Sequence, residues 1–124
     1  MFAVVIGPLM SEDQPQPAPL NRRKTENRWR RILQDADRLD AIGFCGIARC
    51  FYTAGRLGSR LYDLADPAGN ARVLDDGRNA LDHFPKKLLT LEGSFKTRKG
   101  QELASKRHRQ LDEFYRGMLS EVLE

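Results

Sequence analysis

Residues 32–43 read ILQDADRLDAIG, a helix-like stretch that carries Asp35, Asp37 and Asp40 within six positions. On a helical wheel Leu33, Ala36, Leu39, Gly43, Phe44 and Ile47 form one apolar arc. Asp40 falls inside that arc, Asp37 lies at its border beside Leu33 and Phe44, and Asp35 projects towards the far side. A carboxylate turned towards an interior or a cleft needs a cation, a set of donors or a metal ion. Two readings stay open on spacing alone. One is an aspartate paired with an arginine from another helix; the other is a ligand to a hard divalent cation.

Working outward, apolar residues recur at helical spacing from Trp29 to Phe51, with Gly43 and Gly46 placed either to divide the run into two helices or to let a second helix approach closely. Residues 54–78, with glycines, one proline and several aspartates, read as a long irregular loop. A shorter helix is expected over Arg78–Leu91, with Pro85 distorting it or setting its first turn and Gly93 as its stop. Thr97 is placed to cap a last helix running to about Leu123, with Leu103, Leu111, Phe114, Tyr115, Met118 and Val122 on one face. No alternating β pattern and no internal repeat occur, so the chain reads as all-α.

The length of 124 residues allows one domain, and 40% hydrophobic residues supply a modest core. The net charge of +4 decides little by itself. MFAVVIGPLM at the start has no cation before its apolar run and is too short to span a bilayer, so neither a membrane helix nor a secretory signal is expected. The proline-rich SEDQPQPAPL that follows reads as linker or disordered chain. Cys45 and Cys50 are badly spaced for a bridge on one helix and read as reduced, packed thiols of a cytoplasmic protein. Arg22, Arg23, Lys24, Arg28, Arg30 and Arg31 surround Trp29. They read as a solvated helix start with the indole packed inward, or as a grip on nucleic-acid phosphates. A helix start could use Asn21 or Thr25 as its cap.

Four blocks then carry a resemblance: QDADRLDAIGFCGIAR at 34–49, LYD at 61–63, HFPKKLLTL at 83–91 and LASKRHRQLDEF at 103–114. In order and spacing they resemble the C-terminal half of HD-domain phosphohydrolases of the bacterial branch, over about residues 31–124. The resemblance implies helices from the C-terminal part of an HD-like fold over 29–124, preceded by a disordered or non-homologous segment at 1–28. It implies a divalent metal such as Mn or Mg, held by a His, a His-Asp pair and a late Asp, and a water activated against a phosphoester or nucleotide. The late Asp of that pattern falls on Asp37. Periodicity alone favours Asp40 as the most inward carboxylate, which leaves Asp40 to orient or satisfy its neighbours.

The departure from the pattern is the histidine inventory. The only histidines, His83 and His108, lie downstream of Asp37, and no His-Asp dipeptide occurs. One aspartate cannot hold a catalytic metal, so the expectation is a truncated phosphohydrolase of weak or no activity. The alternative is a non-catalytic helical module that binds a protein or nucleic acid through residues 21–31. Of the remaining candidates, Arg107 and His108 fall on the apolar face of the last helix, where Asp40, Asp63 or Asp82 could pair with the arginine. His83 is expected to hydrogen-bond a carbonyl, and Lys86 and Lys87 are a solvated pair able to steer an anion. Helices lacking their usual neighbours should expose apolar surface, which favours a homo-oligomer or a partner chain.

Overall fold

A computed structural model describes residues 22–124; the expectations for the N-terminal run, the proline-rich stretch and Asn21 lie outside the described residues. Helix α1 spans Arg22–Leu39, α2 Gly43–Arg56, α3 His83–Lys86 and α4 Arg98–Val122. No strand is present among the described residues, only an isolated bridge between Arg60 and Asn79. The all-α reading therefore stands.

Ile32, Ala36 and Leu39 on α1 are buried at the three- and four-residue steps a helix face requires. Leu33 and Phe44, expected in the same arc, are exposed instead, at 49% and 69%. The chain turns at residues 40–42, so Phe44 follows a new axis, whereas Leu33 lies before the turn, off the buried face of Ile32, Asp35, Ala36 and Leu39. The turn is closed by hydrogen bonds from Ala41 N to Arg38 O and from Ile42 N to Leu39 O. Gly43 follows at φ +76°, and a Cβ there would also meet the Arg107 side chain at 2.9 Å. This is a position for glycine on both counts.

Both α1 and α2 pack on α4, which forms the spine of the bundle. Ala104 and Leu111 of α4 are fully buried, while Trp29, Leu103, Tyr115 and Met118 pack half-buried against the core. Phe84 lies at the centre, with ring centroids 5.7 Å from both Phe114 and Tyr115 and 6.0 Å from Phe51. Such offset aromatic contacts add about 0.5–1.5 kcal/mol per pair to the burial itself. Thr97 caps α4 as expected, its Oγ1 accepting from Gly100 N at 2.9 Å.

The single helix expected over Arg78–Leu91 is replaced by the 3-10 turn Ala80–Asp82, the short α3 and a second 3-10 turn Leu88–Thr90. Pro85 has no N–H to give and its ring crowds the carbonyl a turn earlier, so it sits in the first turn of the short α3 and not in the interior of a longer helix. Gly93 does not end a helix; it sits inside a further 3-10 turn, Glu92–Ser94. Residues 57–79 form the irregular segment expected for most of the 54–78 range, tied down by Arg60 N to Arg78 O and Ala80 N to Arg60 O, both 2.8 Å.

Candidate functional site

The three aspartates of the opening stretch have three different fates. Asp35, expected to project away, is fully buried. Its carboxylate accepts from Lys96 N at 2.8 Å, Thr97 N at 2.7 Å and Thr97 Oγ1 at 2.7 Å. It thus fastens the entry of α4 to the middle of α1. A Cβ on Gly100 would run into Asp35 Oδ2, so the first turn of α4 approaches α1 without a side chain in the way. Asp35 was misplaced because a wheel ranks residues by their apolar neighbours, whereas this carboxylate faces backbone donors 61 and 62 residues away.

Asp40 is buried, as periodicity indicated, and its Oδ2 accepts from Arg49 Nη1. The open reading of an aspartate paired with an arginine from another helix is realised here. Asp40 Oδ1 is buried without a hydrogen-bond partner. Asp37 is exposed, and no hydrogen bond or ion pair engages it among the described residues. Of the three, only Asp37 keeps its carboxylate open to a ligand.

Ala41, four residues beyond Asp37, lines a cleft of about 390 Å³ between α2 and residues 76–88. Arg49, Cys50, Asp76, His83 and Lys87 also line it. His83 Nδ1 lies 2.8 Å from Asp76 Oδ2, and Lys86 Nζ lies 3.0 Å from Asp76 Oδ1. The partner of His83 is therefore a carboxylate, not the carbonyl expected. The hydrogen bonds from His83 and then Lys86 hold the Asp76 carboxyl below its ordinary range, outweighing a smaller opposing effect of burial. Burial, reinforced by Asp76, pushes the Cys50 thiol up to about 11, so it is a neutral thiol near neutral pH. It points at the Ala80 carbonyl at 3.8 Å. Cys45, expected to be packed, is an exposed thiol, and both cysteines are free.

Arg107 does not reach Asp40, Asp63 or Asp82. Its Nη1 donates to the Leu39 carbonyl at 2.7 Å and so closes the C-terminal end of α1. Asp63 and Asp82 belong instead to Arg72, with Arg72 Nη1 2.6 Å and Nη2 2.9 Å from the two Asp82 oxygens. His108 Nε2 lies 3.2 Å from Glu92 Oε2, and its Nδ1 is buried without a partner. Arg22, Arg23, Lys24, Arg28 and Arg30 are exposed along the first turns of α1, while Arg31 donates to the Lys96 carbonyl at 2.9 Å. Trp29 is half-buried on the core side. Thr25 lies inside α1 and is not its cap. Arg49 and Asp76, central to the cleft, had no signal in the sequence beyond Arg49 standing nine residues after Asp40.

A helical bundle with a turn between α1 and α2, a broken central segment and a long last helix is an HD-domain-like fold, matched over part of its length. Over 92 residues the chain is 39% identical to the uncharacterized protein YpgQ of Bacillus subtilis, which takes in 74% of this chain and 39% of YpgQ. A crystal structure of Bacillus subtilis YpgQ in complex with ADP is similar with a TM-score of 0.61 at 28% identity, covering 98% of this chain and 63% of that one. An HD-superfamily hydrolase from Bacillus thuringiensis is similar with a TM-score of 0.62 at 25% identity, covering 97% and 71%. The chain spans about two-fifths of the length of the curated relative it matches. No family model matches the chain.

Among the described residues no group of three or more His, Cys, Asp or Glu converges as a metal site. A catalytic metal centre draws about three protein ligands, so the described residues do not make one by themselves. No helix among them is long and apolar enough to cross a membrane.

Proposed function

We propose that this chain is the part of an HD-superfamily phosphohydrolase that carries the late aspartate, Asp37, and that its hydrolytic activity towards phosphoesters is weak or absent without further ligands. The observation that carries this reading is the division of labour among the aspartates. Asp35 and Asp40 are consumed by backbone donors and by Arg49, and Asp37 alone stays open at the surface. The likeness to an HD-superfamily hydrolase supports the reaction class. The ADP complex of YpgQ supports a nucleotide as the class of phosphoester. A divalent cation such as Mn or Mg, when bound with additional ligands, would lower the pKa of a water and offset charge on phosphoryl oxygens.

Calorimetric titration with MnCl2 tests this. The chain should bind Mn²⁺ weakly, with Kd above about 0.1 mM, and Asp37→Ala should abolish even that. Micromolar binding that survives Asp37→Ala would place the metal elsewhere and end the reading. Nucleotide hydrolysis under the same conditions should stay below about 0.01 s⁻¹, far under the roughly 10 s⁻¹ of a typical enzyme.

The exposed cations of α1 support a second reading, a module that binds nucleic acid electrostatically. That reading requires affinity for a duplex to fall steeply with salt. A flat salt dependence, or no binding at low salt, would remove it.

A further inference from the structure

Two elements bring their cations to one edge of the bundle. Arg31 of α1 donates to the Lys96 carbonyl at 2.9 Å, and Arg38 donates to the Ser94 carbonyl at 3.0 Å. Between them, Asp35 accepts from the N–H groups of Lys96 and Thr97. This stripe of α1 therefore runs alongside residues 94–98, the entry to α4. Lys24 lies seven residues before Arg31, close to two full turns, and continues the stripe towards the start of α1.

The exposed charges along this edge are cationic. The acids of α1 are Glu26, Asp35 and Asp37. Asp35 is fully buried beneath the seam. Asp37 stands about 200° round the helix from Asp35, and Glu26, eleven residues before Asp37 and so close to three full turns away, falls on the same side as Asp37. The exposed acids of α1 thus face away from the entry to α4. Lys96 and Arg98 are exposed beside the stripe. No hydrogen bond or ion pair engages the side chains of Lys24, Lys96 or Arg98 among the described residues. Arg31 and Arg38 meet carbonyls, which leave their charge unneutralised. Glu92 is turned to His108, and Glu102, one turn into α4, is a single exposed acid against these cations.

The strip from Lys24 to Arg38 is about 21 Å long at 1.5 Å per residue, a row of positive charge suited to a regular polyanion. A lipid surface is disfavoured, because a helix lying on a membrane needs an apolar face for the acyl chains, and Ile32, Ala36 and Leu39 of α1 are buried in the core. Single-stranded nucleic acid is disfavoured too, because it is held by bases stacked on open aromatic rings. The aromatic residues of these two segments, Trp29 and Phe95, pack in the core.

We propose that this edge grips the phosphate backbone of a nucleic-acid duplex, with Lys24, Arg31 and Arg38 from α1 and Lys96 and Arg98 from the entry to α4. The inference rests on the electrostatic reading of the α1 cations above, and it adds a second element and the double-stranded form.

The test is fluorescence anisotropy of a labelled DNA duplex of about 20 base pairs, titrated with the full chain at NaCl from about 50 to 200 mM. Contacts from these cations should give a log–log slope of about −4.5. Lys96→Gln combined with Arg98→Gln should lower the magnitude of the slope by about 1.8 and weaken binding at low salt about tenfold. Lys96→Gln alone should lower it by about 0.9 and serves if the double variant fails to fold by circular dichroism. Lys106→Gln combined with Arg109→Gln, an equal loss of charge at exposed positions further along α4, should change Kd less than about twofold. The same oligonucleotide as a single strand should bind more weakly than the duplex. Steep, salt-dependent duplex binding that ignores the Lys96 and Arg98 changes would return the site to α1 alone, overturning this inference while the reading above stands. No duplex binding at low salt would remove both. Tighter binding to the single strand, or to vesicles of phosphatidylserine and phosphatidylcholine, would also overturn the assignment.

Discussion

Asp35→Ala is expected to cost about 3 kcal/mol of folding stability. The substitution removes three accepted hydrogen bonds and leaves the Lys96 and Thr97 N–H groups facing a methyl. Each partly buried orphan donor costs about 1–3 kcal/mol, and the cavity left by the carboxylate adds a little more. Lys96 and Thr97 are not fully enclosed, so water recovers part of this and the sum stays near the lower end. For a domain of this size the midpoint of thermal unfolding should fall by about 12–24 °C. Asp35→Asn keeps one acceptor and should lose about half as much. Asp37→Ala, two residues away, should change stability by less than about 0.5 kcal/mol. Urea denaturation of the three variants decides the matter, and an Asp35→Ala variant within about 1 kcal/mol of the parent would mean that this carboxylate does not fasten α4 to α1.

The contrast between Asp35 and Asp37 also marks where the sequence stops being legible. Some features with a local cause are legible, although Thr25 and Gly93 are not the cap and the stop their residue types suggest. Thr97 caps α4 because an N-cap needs only the next turn. Trp29 packs inward because α1 is one regular helix around it. The wheel failed once the chain turned at residues 40–42, which put Phe44 into solvent at 69% exposure. It also had no means of finding Asp35, whose partners are backbone groups on the far side of the sequence. Arg107 shows the same limit. A buried-facing arginine was matched to acids, yet a helix C-terminus offers carbonyls that satisfy it as well. The block resemblance fared better than periodicity for the fold, because it encodes the long-range arrangement that periodicity lacks. It said nothing of the cleft, whose Asp76–His83 contact joins a loop to a helix start.

Leu33, Phe44 and Tyr52 stand open at 49%, 69% and 65%, and the chain covers only part of each relative's length. These side chains have no cover among the described residues. Polar clamps at Asp35 and Asp82 join the apolar core in holding the elements together.

Asp82→Ala is expected to cost about 2–3 kcal/mol at pH 7, with a loss that shrinks in acid. Asp82 is buried and accepts from both terminal guanidinium nitrogens of Arg72, from the Asp75 N–H at 2.8 Å and from Asn79 Nδ2 at 3.3 Å. Arg72 in turn binds the Asp66 carbonyl, so the clamp closes the whole 66–82 segment onto the core. Removing one partner of a buried pair costs about 3–5 kcal/mol, and the partial exposure of Arg72 lowers that figure. Burial works to raise the Asp82 carboxyl, but Arg72, the Asp75 amide and Asn79 outweigh it and hold the group below its ordinary 3.8. A folded-state value below the unfolded one gives stability that is complete above about pH 4 and is lost as pH falls through the folded value. Asp76, held down by His83 and Lys86, and Asp66, held down chiefly by the Ala71 amide, act with the same sign. The parent chain should therefore lose stability steeply below about pH 4, while Asp82→Ala loses less because one of its acid-sensitive groups is gone. Urea midpoints measured at successive pH values should converge between the two proteins as the pH drops. A gap that stays constant down to about pH 3 would show that Asp82 is not held as the ionised partner of Arg72.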